Sequence, residues 1–121
     1  MNNLNSIVLE GRLVRDSLFA VTPKGTSTSV FTLATNRTFK YDKDAELAKE
    51  ETFFFEIKVF GKLAEICRDK GKKGRGVRVV GGLVQLRWTD EKTGEHKEQI
   101  YIEAEHVEYR PDDGKTETVK V

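Results

Sequence analysis

With 121 residues, 37% of them hydrophobic, the chain is long enough to close one domain around a sizeable core. Several classes are excluded: no apolar run approaches the ~20 residues that cross a bilayer, the opening Met1-Asn2-Asn3-Leu4-Asn5 lacks the basic and then apolar pattern of a signal peptide, and a lone cysteine, Cys67, allows neither an internal disulfide nor a multi-cysteine zinc site. The net charge of +1 conceals a split, residues 1–89 carrying 16 Lys/Arg against 10 Asp/Glu and residues 90–121 carrying 5 against 10, so a cytoplasmic protein with a local basic field for phosphate is expected, although such charge blocks are also common on ordinary solvated surfaces.

Residues 6–14, Ser-Ile-Val-Leu-Glu-Gly-Arg-Leu-Val, are β-branched and aliphatic around Gly11, which predicts a first strand bent or bulged at the glycine. Residues 18–21 and 29–35 flank Thr22-Pro23-Lys24-Gly25-Thr26, a Pro-x-Gly turn, and read as a hairpin. From Asn36 to Lys49 the chain turns polar. A connection of about 15 residues is uncommon in a compact domain and is usually functional or disordered. Phe39 and Tyr41 among Arg37, Lys40 and Lys43 favour function, with Phe39 as a packing anchor the plainer alternative and a short helical turn near Ala45 to Lys49.

Residues 53–62, Phe-Phe-Phe-Glu-Ile-Lys-Val-Phe-Gly-Lys, hold four of the seven phenylalanines. Alternation along a strand sends Phe53, Phe55, Ile57 and Val59 to the core and Phe54, Glu56, Lys58, Phe60 and Lys62 to the other face. Aromatics interleaved with cations are costly inside and wasted on plain surface, and they suit a flat anionic partner such as single-stranded nucleic acid. Glu56 is out of place there, and the account available is a salt bridge to Lys58 or another basic neighbour.

Residues 61–71 change period. Leu63, Ile66 and Cys67 fall at i, i+3 and i+4, with Lys70 in the last turn and Gly71 as a stop, so one short helix is predicted with Cys67 as a small buried hydrophobe. Lys72-Lys73-Gly74-Arg75-Gly76 is a basic loop whose glycines let the backbone approach a phosphate, although it lacks the Gly-Lys-Ser/Thr ending of a phosphate loop. Residues 77–88 predict a long strand with a bend or bulge at Gly81-Gly82, ending in Gln85-Leu86-Arg87-Trp88. A polar connection over 89–95, with His96 assigned to it, leads to a partner strand over 99–107, where Glu103 and Glu105 read as a solvated face.

This order predicts an all-β domain over residues 1–110: a five-stranded antiparallel Greek-key OB-fold barrel with one short α-helix between strands 3 and 4, followed by a short polar tail over 111–121. His96, His106, Cys67 and the scattered carboxylates have no metal or catalytic-triad spacing, so no catalytic residue, metal, other cofactor or enzymatic activity is expected.

Asn5 to Leu13, Leu33-Ala34-Thr35, Val59-Phe60-Gly61-Lys62-Leu63-Ala64-Glu65 and Arg87-Trp88-Thr89-Asp90 together resemble the bacterial single-stranded DNA-binding proteins, from about Asn5 to Tyr109. The resemblance implies DNA-stacking aromatics at Phe39, Phe54, Phe60 and Trp88, the first two standing where the family usually has tryptophan, and phosphate contacts at Lys62, Lys73 and Arg87. Arg12, Arg37 and Lys58 are added on proximity or same-face parity. It further implies a homotetramer that wraps single strands in replication, recombination and repair, and places Phe55 near a subunit interface where histidine is common. The family's flexible tail with an acidic tip, which recruits partner proteins, is not matched by residues 110–121, so recruitment is not carried over. Two other readings stay open: an OB-fold protein-interaction module of the primosome-accessory kind, with the aromatics as a protein interface, and an RNA-binding domain of cold-shock type.

Overall fold

In the computed structural model residues 2–39 and 49–111 are described. Lys40, Tyr41, Lys43, the helical turn expected near Ala45 and the tail beyond Pro111 lie outside them. Six strands and one helix follow in the order β1 (Ile7–Leu13), β2 (Leu18–Val21), β3 (Ser27–Phe39), β4 (Lys49–Phe60), α1 (Lys62–Lys70), β5 (Gly76–Thr89) and β6 (His96–Tyr109).

Five of the strands close a barrel. β1 pairs with β5 through Ile7–Arg12 and then crosses to β3 at Arg12 and Leu13, β3 pairs with β4, β4 with β6, and β6 with β5. β2 is a short flap on the outer edge of β3. Every pairing is antiparallel except β4 with β6, which run parallel at Ile57↔Ile102 and Lys58↔Glu103. Gly11 and Gly81 permit the two sharpest approaches: a Cβ on Gly11 would stand 2.2 Å from the Ala34 carbonyl oxygen, and one on Gly81 would stand 2.0 Å from that of Glu103. At the second, Val80 faces His106 but Gly81 faces Ala104, so Glu105 is the extra residue of a β-bulge. The irregularity at Gly81 is where the sequence placed it, whereas β1 keeps unbroken register with β5 through Gly11, which serves a close approach to β3.

Leu13, Phe31, Leu33, Ile57, Val59, Val77, Val79, Ile102, Ala104 and Val107 fill the barrel, and Ala64 and Cys67 of α1 plug one end. Ser29, the one buried polar residue among the described residues, donates its hydroxyl to the Ala64 carbonyl at 2.6 Å and ties the helix to β3. Burial pushes the Cys67 thiol up, and the Tyr109 hydroxyl donates to its Sγ at 2.8 Å, so the cysteine is a packed side chain.

Four expectations are corrected. The polar stretch from Asn36 is not all loop: residues 36–39 pair with 49–52, so β3 and β4 form a ribbon that overshoots the barrel. With neither face buried, hydrophobic alternation is lost there, while Thr52–Asn36 and Arg37–Glu51 cross-strand contacts remain. Phe55 is 36% exposed and Phe53 half-buried, although Phe55 stands opposite the fully buried Leu33 of β3, whereas Ile57 and Val59 on the same side are in the core. In α1 the inward stripe is Ala64 and Cys67, with Leu63 half-buried and Ile66 outside, because one short helix capping a barrel presents only a narrow face. His96 belongs to β6 and pairs with Thr89.

On the outside of β1, β5 and β6, the Glu10 carboxylate accepts from the guanidinium groups of Arg78 and Arg110, which hold its pKa below the ordinary 4.5. A carboxylate lowered by folding contributes stability that is complete above its unfolded pKa and is lost as pH falls through the folded one. Glu10→Gln is therefore expected to lower the melting temperature at neutral pH, with the gap to the parent narrowing as the buffer passes below about pH 4.5. A gap that stays constant on acidification would show that this network is not the source.

Candidate nucleic-acid interface

Register across the barrel assembles one continuous outer face. Phe54, Glu56, Lys58 and Phe60 alternate outward along β4, opposite Ala34, Thr32, Val30 and Thr28 of β3. The parallel seam sets Glu103 of β6 beside Lys58, so Gln99 and Tyr101 share that side, and pairing of β6 with β5 adds Val84, Leu86 and Trp88. Phe54 is 43% exposed, Phe60 40% and Trp88 43%. A sheet face with its large aromatics left in water offers flat platforms on which bases can stack.

Lys58, the cation in the middle of this face, is held by a neighbour. The Lys58 Nζ stands 4.2 Å from the centre of the Tyr101 ring, a cation–π contact. It makes no ion pair with Glu56 among the described residues. Instead the Glu56 carboxylate accepts a hydrogen bond from the Gln99 amide, which corrects the salt bridge expected from sequence. Lys62, the first residue of α1, is exposed two residues beyond Phe60. Tyr101, Gln99 and Leu86 are the members of the face that sequence reasoning missed. Their signal was present: Ile100, Ile102 and Ala104 alternate as an apolar row, which leaves Gln99, Tyr101 and Glu103 on the opposite side.

Of the other predicted residues, Arg37, Phe39 and Arg87 lie on reverse sides, whereas Arg12 borders the outer face. Arg37 and Phe39 share the reverse side of the β3–β4 ribbon with Phe53, the Arg37 guanidinium lying 4.4 Å from the Phe39 ring centre and 5.4 Å from that of Phe53. Arg87 points to the opposite side of its ribbon from Trp88, donating to Gln85 at 2.9 Å and approaching Glu98 at 4.0 Å. Arg12 sits in line with Ala34 and Phe54 across three strands, and its Nη1 donates to the Gly74 carbonyl at 2.9 Å. Around it, the backbone N–H groups of residues 72–75 are all spent within the chain: Lys72 on the Lys70 carbonyl at the end of α1, Lys73 on the Asp16 carboxylate, Gly74 on the Leu13 carbonyl and Arg75 on the Lys72 carbonyl. The loop is therefore no phosphate cradle of backbone amides, although the Lys73 side chain is exposed.

At the far end of β5 and β6, Arg87, Trp88, Thr89, His96, Lys97 and Glu98 line a shallow cleft, so the Trp88 indole has an open polar margin. No cluster of His, Cys, Asp or Glu suited to a metal ion occurs among the described residues, nor any helix long and apolar enough to cross a membrane.

A five-stranded Greek-key barrel capped by one helix, with aromatics and cations exposed along one outer face, defines an OB-fold domain with a surface suited to unpaired nucleic acid. Residues 4–110 match the model of the single-strand binding protein family, and the chain belongs to that family. It is 39% identical over 104 residues to the single-stranded DNA-binding protein of Aquifex aeolicus, covering 86% of this chain and 68% of that one. It is also 39% identical over 109 residues to the single-stranded DNA-binding protein of Thermotoga maritima, covering 90% and 75%. Among solved structures the fold is similar to the Plasmodium falciparum SSB complex with ssDNA, with a TM-score of 0.79 and 24% identity over 92% of this chain and 98% of that one.

Proposed function

We propose that the protein binds single-stranded DNA with little dependence on sequence and protects it in the cytoplasm during replication, recombination and repair. The observation that carries this is the row of Phe54, Phe60 and Trp88, each about two-fifths exposed on one face of the barrel. Every base has a π-face, so stacking on these rings tolerates any sequence and contributes about 1–3 kcal/mol per base. Phe39 adds a platform on the back of the ribbon. Lys62 and Lys73 meet phosphates, as do Lys58 and Arg87 on leaving their contacts with Tyr101 and with Gln85 and Glu98, while Arg12 and Arg37 add to the field. Duplex DNA binds poorly because its bases are not free to stack.

Adding oligo-dT at low salt is expected to quench Trp88 fluorescence. The logarithm of the binding constant is expected to fall linearly with the logarithm of salt concentration, by about 0.7 for each phosphate neutralised. An unchanged indole signal would defeat the reading.

The chain assembles as a homo-oligomer, four copies by resemblance. Support comes from Phe55, Leu83 and Ile100, which have core-facing parity but stand exposed, and apolar strand surface of this kind is characteristic of subunit contacts. Light scattering with and without oligo-dT measures subunit number and stoichiometry together.

A further inference from the structure

Glu56 is the one acid on β4 between the aromatics Phe54 and Phe60, and its surroundings do not neutralise it. Along β4 its outer-face neighbours are Phe54 and Lys58, each two residues away and so about 7 Å, and across the sheet it stands opposite the neutral Thr32 of β3. The Lys58 ammonium is turned onto the Tyr101 ring. Among the described residues the one hydrogen bond made by the Glu56 side chain comes from a neutral group, the Gln99 amide on Oε2. Oε1 has no partner among the described residues, and the side chain is half-buried. A half-buried carboxylate oriented by an amide, with one oxygen left over, is an acceptor held in place beside a stacking platform.

Such a group repels phosphate, so as a backbone contact it only weakens binding. Toward a base it discriminates. A carboxylate accepts and cannot donate. Cytosine and adenine carry exocyclic amino donors that satisfy it, whereas thymine presents carbonyl acceptors on either side of its single N–H. We propose that Glu56 reads the edge of the base stacked on Phe54 and favours bases bearing an amino group over thymine at that position. This deepens the single-strand reading and rests on it. Gln99 is the positioning residue, because its amide determines which carboxylate oxygen is free.

The test compares the affinities of oligo-dC and oligo-dT of equal length for the parent and for Glu56→Gln. Glutamine keeps the size and can still accept from Gln99, but it turns an amide donor outward toward the thymine carbonyl. The ratio of dC to dT affinity is expected to shift toward dT by about fivefold, the size of one modest hydrogen bond. Both affinities rise as the negative charge is removed. A rise by the same factor for both oligomers overturns the proposal, since a merely electrostatic Glu56 would do that. If the parent binds neither oligomer, the single-strand reading fails and this one with it.

Discussion

Alanine at both Phe54 and Phe60 is expected to weaken binding of oligo-dT by about 2–6 kcal/mol, one to three for each stacked base lost. The two rings stand on the same face of β4, 43% and 40% exposed, and neither belongs to the buried core cluster. Truncation therefore removes platforms without opening a cavity, and the melting temperature should move little. Trp88 stays in place as the reporter, so the same fluorescence titration reads the loss. If the variant instead dissociates into smaller species while its subunits still bind DNA, the rings belong to a protein interface. Single substitutions should each give about half the free-energy change if the platforms act independently.

Gly81→Ala is expected to destabilise the fold by about 3 kcal/mol, the upper end of what overpacking costs in a well-packed site. The added Cβ would lie 2.0 Å from the Glu103 carbonyl oxygen and within 3.0 Å of the Ala104 Cα, both backbone atoms that no side-chain rotation can clear. The position is the bulge at which β5 and β6 change register, next to the core residues Val79 and Ala104. Relief requires the two strands to move apart where the barrel bends. Thermal or denaturant unfolding measures the loss, and a midpoint equal to that of the parent would mean that the bulge can relax at no cost. The matching change at Gly82 is expected to cost less, because the nearest atoms to its new Cβ, the Asn5 carbonyl oxygen and side chain, would stand at 3.0 Å or more.

The two halves of β4 show how far the sequence is legible. Outward placement of Phe54, Lys58 and Phe60 follows from alternation, which is a local property of any strand, and the tertiary structure leaves it unchanged. Inward placement of Phe53 and Phe55 follows from the same rule and yet does not bury them, because burial depends on what else packs against that part of the strand. The ribbon beyond Asn36 was hidden for a related reason: with solvent on both sides, its residues carry no hydrophobic period to read. Ile66 illustrates the helical case, where spacing identified a stripe but not which edge of it the barrel covers.

By itself, then, the sequence determined what short-range geometry controls: the order of the elements, the strand face that each side chain takes, the irregularity at Gly81, and an aromatic and basic row on β4 suited to unpaired bases. Only the tertiary structure decided which faces are covered and which distant groups meet. Closure of the barrel brought Trp88 of β5 and Tyr101 of β6 onto the face of Phe54 and Phe60, turned Lys58 toward Tyr101, and gave Glu56 its partner in Gln99, 43 residues away. Those pairings depend on register between strands remote in sequence, which hydrogen bonding across the closed sheet sets and no local pattern encodes.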